Sequence, residues 1–346
     1  MRVFAICFGV FFSLLAKAQL APDYFERDEK TLRVVFYNVE NIFDPEDDPN
    51  KRDEEFTPEG DRYWNKYKFY EKLNRSAKAI MATGGWTPPE VVGICEIENR
   101  FVLEQLIYST PLKNFDYAIS HFESKDRRGI DVGLIYNKSL FQLVQESKIP
   151  VVFPWDTGYH TRDILWTTLK NGEDTLHFFV NHWPSRWSGQ LETEPARIHT
   201  AKTLKAITDS MFSVNPKVKI IIMGDLNDGP HNKSMKEVLT GAYNNQVYLR
   251  NLMDDENLDW MGSHRYGVEW DYLDQMVLSR GILNPSKGWG YKNKSATACA
   301  LGFLLEEDKK NLGLKPKRTF IGLSYHGGFS DHLPVKLDLI PHKASY

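Results

Sequence analysis

The sequence has little cysteine, no excess of basic charge and, beyond its first 15 residues, no long apolar run. Three cysteines, at positions 7, 95 and 299, are too few for a disulfide framework. The formal net charge of −3 at pH 7 argues against a protein that holds nucleic acid by bulk positive charge, although an enzyme that releases its substrate needs only local attraction. No later segment has the roughly 20 apolar residues that a membrane-spanning helix requires.

The N-terminal 18 residues have the pattern of a secretory signal peptide. Arg2 precedes an apolar stretch over residues 3–15, and an A-x-A cleavage site ends at Ala18. A membrane anchor is the alternative, but this stretch is too short to cross about 30 Å of hydrocarbon. We therefore expect a mature chain of residues 19–346 that is secreted or periplasmic and has no stable membrane anchor.

Short apolar runs bounded by Asn, Gly, Asp or Pro predict eight strands. They cover residues 32–38, 91–97, 130–136, 164–169, 176–182, 218–224, 273–279 and 333–339. Apolar residues three and four apart predict four helices, over residues 64–82, 99–109, 192–213 and 232–240. Because strands often follow strands directly, two packed sheets with outer helices in a single α/β domain fit better than pure βαβ winding. Long loops are expected over 44–63 and 284–320.

Polar residues lie at the ends of most of these predicted strands. They are Asn38, Glu40, Glu96, His182, Asp225, Asn227, Asp274, Asp331 and His332. Since the strands of a sheet end at a common edge, we expect these side chains to converge although the chain separates them widely. Carboxylates and carboxamides supply the oxygen ligands that Mg²⁺ prefers, and histidines beside them supply acid and base groups. This combination is suited to hydrolysis of a phosphodiester.

Four of these residues are candidates to bind a metal ion. Glu96 follows an apolar run, where an unpaired buried carboxylate would be costly, so it requires either a cationic partner or a metal. With Asn38, Glu40 and Asp331 expected at the same edge, oxygen ligation of Mg²⁺ is the better interpretation. An ordinary ion pair of Glu96 is the alternative.

Five further residues are candidates for the chemical step. Asp225 and Asn227 lie two positions apart on extended backbone and share a face, so Asp225 can align the attacking water while Asn227 donates to the phosphorane. A turn that simply ends the strand would use the same residue types and is the alternative. His332, with its tautomer fixed by Asp274, is the candidate general base, and His182 supplies a second imidazole.

Substrate binding is assigned to residues that can contact phosphate or bases. The phosphate-binding candidates are Arg128, Arg162, Asn181 and Arg186. Arginine clamps phosphate bidentately, although an arginine near a strand end is also a common salt-bridged surface residue. Trp183, Trp187 and Trp289 are candidate stacking surfaces for bases.

Taken in order, several segments resemble the endonuclease/exonuclease/phosphatase superfamily, which has the DNase-I-like fold. They are NVEN, ICEIEN, RRGIDVGLIY, NHWPSR, GDLND, LDQMVLS and SDHLPV, and the resemblance runs from about residue 32 to residue 339. The chain is most similar to predicted secreted bacterial nucleases. The resemblance implies a four-layer α/β sandwich of two packed mixed β-sheets flanked by helices. It also implies a divalent metal, Mg²⁺ or Mn²⁺, with Ca²⁺ as a further option.

The resemblance implies individual metal ligands as well. Asn38 and Glu96 match the metal-proximal pair of the family, and Glu40 stands where many members have an acid. Asp331 matches the acid that precedes the family's histidine. One departure concerns substrate: Arg128 lies in a segment where some nucleases have a phosphate-contacting tyrosine.

Catalytic roles follow from the same resemblance. Asp225 and Asn227 match the water-orienting aspartate and the phosphate-binding asparagine. Asp274 and His332 match the acid–histidine pair, and His182 matches the second histidine of the DNase-like members.

We therefore predict a metal-dependent hydrolase, expected to be a monomer, that cleaves DNA or RNA by in-line attack of an activated water. A phosphatase or phospholipase of the same fold, acting on sphingomyelin or phosphoinositide headgroups, is the alternative. An exposed aromatic hairpin would favour it, and Trp289 is the only candidate for one in the sequence. A catalytically inactive binding protein ranks last, because every motif acid and histidine is present.

Overall fold

A computed structural model describes residues 24–25, 27–28, 30–85, 87–254 and 261–343. The predicted signal peptide and its cleavage site lie outside these residues. Within the described part of the chain, no helix combines the length and apolarity needed to cross a membrane.

The described chain forms many short strands and a few helices. The strands are β1 (Leu32–Ile42), β2 (Val91–Ile97), β3 (Tyr117–His121), β4 (Asp131–Asn137), β5 (Gln142–Ile149), β6 (Ile164–Asn171), β7 (Asp174–His182), β8 (Lys219–Asp225), β9 (Leu249–Asn251), β10 (His264–Tyr266), β11 (Glu269–Asp271), β12 (Asp274–Ser279), β13 (Gly288–Tyr291), β14 (Thr297–Ala298), β15 (Leu305–Glu307), β16 (Leu314–Pro316), β17 (Phe320–Ile321), β18 (Ser324–Tyr325) and β19 (Val335–His342). The α-helices are α1 (Lys66–Gly84), α2 (Arg100–Tyr108), α3 (Gln190–Val214) and α4 (Arg280–Leu283). A π-helical segment covers Ser234–Leu239, and 3₁₀ turns cover Glu54–Phe56, Pro111–Asn114 and Gly302–Leu304.

Two large mixed sheets form the centre of the fold. The first has the strand order β13-β19-β1-β2-β4-β3, with β14 also paired to β19, and the second has the order β5-β6-β7-β8-β12-β9. In the first sheet the parallel pair is β1 with β2, connected through α1. In the second it is β7 with β8, connected through α3. Helical crossovers of this kind are what a parallel neighbour requires.

Side-chain alternation along the strands builds apolar layers on both faces of each sheet. In β1, Val34 and Phe36 point into the space between the sheets, whereas Val35 and Tyr37 point toward α1 and α2. Strand β8 alternates in the same way between the inter-sheet core and α3. The result is a helix–sheet–sheet–helix sandwich, which confirms the predicted fold class.

Helix α1 illustrates why the outer layers form where the sequence predicts them. It begins after Asn65, whose side chain accepts a hydrogen bond from the Lys68 backbone N–H at 3.1 Å. Phe69, Leu73 and Ala77 recur at spacings of four on its buried face, with charged residues between them. This face packs against the first sheet.

The predicted strands and long helices are present, with ends that differ by a few residues. The structure also has short strands that the sequence pattern did not predict, namely β3, β9, β10, β11, β17 and β18. Two further regions differ from the prediction. Residues 284–320, predicted as a loop, contain β13 to β16, and β13 with β14 extends the first sheet by pairing with β19. Strand β5 was missed because its sequence is polar and it lies exposed at the edge of the second sheet. In both cases pairing with a neighbour, not a local apolar pattern, makes the strand.

Candidate active site

Three predicted catalytic residues lie side by side on the second sheet. Asp225 is the last residue of β8, where it pairs with His182 of the parallel strand β7 and with Asp274 of the antiparallel strand β12. Along each strand, alternate residues point into the inter-sheet core, and these three polar residues continue that series at the rim. Pairing across three neighbouring strands therefore places a histidine and two aspartates from distant parts of the chain next to one another.

Asn38 provides the connection to the first sheet. It continues the inward series of Val34 and Phe36 on β1 and is completely buried. Its Nδ2 donates to Asp225 Oδ2 at 3.0 Å and to Glu96 Oε1 at 3.3 Å. The site is thus built across the gap between the two sheets.

Glu96 reaches the site because the strand is irregular there. Regular alternation along β2 would direct Glu96 toward the outer helices together with Ile94. Instead the register with β4 shifts between Cys95 and Ile97, and Glu96 has a φ of 63°. A bulge of this kind redirects a side chain, and left-handed non-glycine residues are concentrated at functional sites. Asn41, with a φ of 52°, holds the redirected carboxylate by donating its N–H to Glu96 Oε2 at 3.0 Å.

His332 and Asp274 form the predicted acid–histidine pair, with His332 Nδ1 2.6 Å from Asp274 Oδ2. Nε2 of His332 lies 3.8 Å from Asp225 Oδ2. The chain around His332 is held by Ser330, whose Oγ accepts the His332 backbone N–H at 3.0 Å and donates to the Asn38 carbonyl at 2.7 Å. The histidine ring is therefore fixed from both sheets.

Burial and neighbouring charges shift the pKa values of these groups in different directions. Burial raises the pKa of Asp225 to about 6 despite the opposing effect of His332. Burial by itself would lower the pKa of His332, but Asp274 and Asp225 outweigh it and raise that pKa well above its ordinary value. Burial, with nearby arginines, lowers the pKa of His182 well below its ordinary value. At neutral pH the two histidines therefore differ, His332 favouring the imidazolium form and His182 the neutral form.

Glu40 and Asp331, both predicted metal ligands, are bridged by Arg318. The Arg318 Nε lies 3.2 Å from Glu40 Oε1, and its Nη2 lies 2.9 Å from Asp331 Oδ2. The Thr319 backbone N–H also donates to Glu40 Oε2 at 2.6 Å. These two carboxylates already have a cationic partner. Glu96, by contrast, forms no ion pair with a lysine or arginine in the described chain.

The donor set fits a hard divalent ion at Glu96. Its carboxylate side chain is 15 % exposed, so one side is open to a ligand, and Mg²⁺ typically takes only one or two protein carboxylates plus water and substrate oxygens. Groups of three possible ligands within 4.8 Å of one another are found at Asp225–Asp274–His332, at His264–Asp331–His332 and at His121–Glu123–Asp131. Of the four predicted metal ligands, Asp331 alone belongs to such a group.

Two of the predicted substrate-binding residues support the framework instead of facing solvent. Arg162 is 4 % exposed, donates to the His182 carbonyl at 3.1 Å and pairs with Asp126 at 3.2 Å. Asn181 is completely buried, and its side chain donates to the carbonyls of Phe179 at 3.1 Å and Met223 at 3.3 Å. Their physical role is to fix the end of β7, which carries His182.

The other two predicted substrate-binding residues, Arg128 and Arg186, and the predicted catalytic residue Asn227 lie near His182 and Asp225. The Arg128 side chain is 49 % exposed and lies close enough to lower the pKa of His182. Arg186 donates to the Asn227 carbonyl at 2.6 Å. Asn227 itself has a φ of 51° and donates its backbone N–H to Asp225 Oδ1 at 3.0 Å. Residues 225–227 thus form a turn, as the alternative interpretation of the Gly-Asp-Leu-Asn segment has it. The Asn227 side chain donates to the Trp183 carbonyl at 3.0 Å, and its contact with phosphate stays a prediction.

Three residues near the site were not singled out from the sequence. Arg318 is one, and it lies near the end of the segment 284–320 that the sequence predicts as a long loop. His264 lies in the β10–β11 hairpin, with its ring centroid 4.6 Å from that of His332. Lys72 is fully buried on α1, where burial lowers its pKa to about 8 and Glu40 opposes the change. A lysine within the apolar face of a predicted helix was the one available signal for this last residue.

Comparison with known proteins agrees with this geometry. The model of the Endonuclease/Exonuclease/phosphatase family matches residues 33–340, and the chain therefore belongs to that family. Members of the family are hydrolases that act on phosphate esters and generally depend on a divalent metal. None of the curated proteins searched matches the sequence.

Solved structures with the same fold come from several differently named proteins. A mannosyl-6-phosphatase from Bacteroides thetaiotaomicron is 13 % identical, with a TM-score of 0.58 over 89 % of this chain and 99 % of that chain. The human Nocturnin catalytic domain with bound sulfate is 15 % identical, with a TM-score of 0.56 over 90 % and 94 %. D. rerio TDP2 in complex with a single-stranded DNA product is 14 % identical, with a TM-score of 0.53 over 90 % and 99 %. At these identities the likeness is one of fold.

Proposed function

We propose that this protein is a metal-dependent phosphodiester hydrolase whose substrate is nucleic acid. The observation that carries the proposal is the arrangement around Asp225. One oxygen of this carboxylate accepts from Asn38 at 3.0 Å and lies 3.8 Å from the Nε2 atoms of both His182 and His332. A water-aligning acid, two imidazoles in different protonation states and a carboxylate at Glu96 without a lysine or arginine partner in the described chain form the set that hydrolysis of a phosphate ester needs.

Glu96 is the residue that would hold the divalent ion, Mg²⁺ or Mn²⁺, with Asn38 orienting its carboxylate. The bound ion supplies Lewis-acid neutralisation of the phosphate charge. Asn38 belongs to this part of the site because its amide bridges Glu96 and Asp225. Glu40 and Asp331 serve it indirectly by holding Arg318, whose positive charge is close enough to interact with Glu96.

The pKa directions favour an exchange of roles between Asp225 and His332. Sequence reasoning made His332 the general base, but an imidazole whose pKa is raised well above its ordinary value is a poor base near neutrality. Asp225, with a pKa raised to about 6, is ionised at pH 7 and still basic enough to take a proton from the attacking water. His332 as imidazolium then stabilises charge on the phosphate, and neutral His182 can donate an N–H to it.

Exposed aromatic rings close in sequence to site residues favour nucleic acid as the substrate. Trp187, five residues after His182, is 96 % exposed, and Tyr266, two residues after His264, is 86 % exposed. Bases stack on such rings with little dependence on sequence. Of the other predicted stacking residues, Trp183 is buried and Trp289 is partly buried against the inter-sheet core.

A phospholipase is the second candidate because of the β10–β11 hairpin. Tyr266 and Val268, on either side of Gly267 at its tip, are 86 % and 67 % exposed. An aromatic hairpin next to His332 could enter a lipid surface. Trp289, the candidate from the sequence, is held within β13 by a hydrogen bond from its Nε1 to Asn171 Oδ1 at 2.9 Å.

We also propose that residues 1–18 direct export and that residues 19–346 act as one monomeric catalytic domain. Mass spectrometry of the exported protein should show Gln19 as the first residue. Size-exclusion chromatography with light scattering should give a monomer mass. A retained N-terminus or a stable dimer would contradict the respective part of this proposal.

The decisive experiment is nicking of supercoiled plasmid by the purified mature protein with Mg²⁺ or Mn²⁺. We expect nicking that is abolished by EDTA and falls at least about 100-fold in His332→Ala, the scale of a catalytic acid or base. His231→Ala, which alters a side chain that is 77 % exposed, is the matched control. Hydrolysis of sphingomyelin vesicles without nicking would support the second candidate. No hydrolysis of any phosphodiester by folded, metal-loaded protein would contradict both.

A further inference from the structure

The group formed by His121, Glu123 and Asp131 lies apart from the proposed catalytic residues. His121 ends β3, Asp131 begins β4, and Glu123 lies in the loop between them. One possible ligand atom of each lies within 4.8 Å of the others. Alternation places His121 and Asp131 on the helix-facing side of the first sheet, together with Ile119 and Ile135, whereas the catalytic residues point between the sheets.

Two of these side chains are buried, and each has a polar atom without a hydrogen-bond partner in the described chain. The His121 and Asp131 side chains are each 2 % exposed. His121 Nε2 and Asp131 Oδ2 lie 3.4 Å apart, and neither forms a hydrogen bond. Leaving such atoms unsatisfied costs free energy, so native proteins almost always provide a partner. A cation between them would satisfy both.

No lysine or arginine of the described chain provides that cation. Lys51 and Lys148 are nearby, but their ammonium groups donate to backbone carbonyls, of Ser124 at 3.3 Å and of Glu123 at 2.7 Å respectively. Neither Asp131 nor Glu123 forms an ion pair with a lysine or arginine in the described residues. The partly solvent-exposed Glu123 leaves an open side through which an ion can enter.

We propose that His121, Glu123 and Asp131 bind a divalent transition-metal ion, with Zn²⁺ as the best match. One imidazole nitrogen with two carboxylate oxygens is a Zn²⁺ donor set, whereas Mg²⁺ and Ca²⁺ prefer oxygen ligands alone. This site is separate from the proposed metal at Glu96 and does not depend on the proposed reaction.

The site also has a physical connection to the active site. Asp131 Oδ1 accepts the Ser124 backbone N–H at 2.9 Å, and Ser124 Oγ accepts that of Asp126 at 3.2 Å. Asp126 pairs with Arg162 at 3.2 Å, and Arg162 donates to the His182 carbonyl at 3.1 Å. A metal at the start of this chain of contacts would order the loop between β3 and β4.

The test uses His332→Ala protein, because His332 belongs to both of the other ligand groups in the described chain. Isothermal titration with Zn²⁺ of the metal-free, full-length variant, carrying Glu96→Gln as well to remove the proposed catalytic metal site, should give one tight site. Adding His121→Ala should abolish it, and adding Glu123→Gln should weaken it at least about tenfold. Adding His231→Ala should leave it unchanged, although this imidazole also faces a carboxylate, that of Asp254 at 3.2 Å.

A second readout follows the loop directly. Arg127 and Arg128 are exposed trypsin sites in the loop between β3 and β4. Zn²⁺ should slow cleavage there in His332→Ala and have no effect once His121→Ala is added. If His121→Ala does not fold, as circular dichroism will show, the exposed Glu123→Gln variant decides. The proposal is overturned if folded His332→Ala binds no Zn²⁺, or if both ligand variants bind it as tightly as their parent.

Discussion

Asp225 has a different environment at each of its two oxygens. Oδ1 accepts the Asn227 N–H at 3.0 Å, which fixes the orientation of the carboxylate. Oδ2 accepts from Asn38 and lies 3.8 Å from Nε2 of both His182 and His332. Oδ1 thus fixes the position of the carboxylate, and Oδ2 faces the proposed reacting groups. The predictions for single residues depend on these separate roles of the two oxygens.

The proposed roles predict the acid limb of the pH–rate profile. Protonation of Asp225 should reduce kcat/KM as the pH falls through about 6, and bound metal would move this limb lower. His332→Ala should lower kcat at least about 100-fold yet retain the acid limb, whereas Asp225→Asn should be inactive. If His332 were the base, the limb would lie well above the ordinary histidine pKa and disappear in His332→Ala. Steady-state profiles of the wild type and both variants separate the two cases.

Asp225 should also reduce the stability of the metal-free protein. Its folded-state pKa of about 6 exceeds the ordinary value of 3.8, so the folded state binds the proton more tightly than the unfolded state. The ionised form therefore destabilises the fold fully above pH 6, and this effect disappears below about pH 4. Asp225→Asn should exceed the wild type by about 1–3 kcal/mol at pH 7 and match it at pH 4. Urea unfolding in EDTA measures this, and a pH-independent difference would refute it.

At the scale of elements, the pairing of β7 with β8 determines how closely His182 and Asp225 approach. Gly224 lies opposite Asn181 in this parallel pair, and a Cβ at Gly224 would lie 2.4 Å from the Asn181 carbonyl oxygen and 2.6 Å from its Cβ. Both contacts involve the backbone or its first side-chain atom, so only a shift of one strand would relieve them. The neighbouring catalytic pair would move with that strand.

Gly224→Ala should therefore impair both stability and catalysis. We expect a loss of about 1–3 kcal/mol in the free energy of unfolding, the usual cost of overpacking. Activity should fall at least about tenfold, because small displacements of reacting groups are costly. Gly158→Ala is the control, since a Cβ there would meet only the Asp156 side chain at 3.6 Å. Wild-type activity of Gly224→Ala would mean that the register of β7 and β8 does not position the site.

At the scale of the whole molecule, substrate class depends on what surrounds the catalytic rim. Trp187→Ala and Tyr266→Ala should each raise KM for DNA about 5- to 100-fold, the effect of losing one stacked base, while hydrolysis of a small phosphodiester stays unchanged. Tyr67→Ala is the matched control, because Tyr67 is 74 % exposed on α1 in the outer layer. Equal effects of Trp187→Ala and Tyr67→Ala on DNA cleavage would contradict stacking at the rim. A loss confined to lipid vesicles in Tyr266→Ala would point to the phospholipase candidate.

The sequence alone determined the elements whose patterns are local. Apolar runs and the residues that end them predict the eight central strands, and alternation explains why Asn38, His182, Asp225 and Asp274 point to one place. Family resemblance in the ordered motifs supplied the sandwich and the acid–histidine pair.

The tertiary structure alone decided contacts that depend on partners far along the chain. Glu96 enters the site through a bulge that alternation does not predict. Arg318 pairs with two predicted metal ligands, and Arg162 and Asn181 donate hydrogen bonds to backbone carbonyls of the framework. These outcomes depend on which buried charges and amides find partners once the sheets pack. The sequence shows that a charged or amide side chain is present at a position, but only the packed fold shows which groups that side chain contacts.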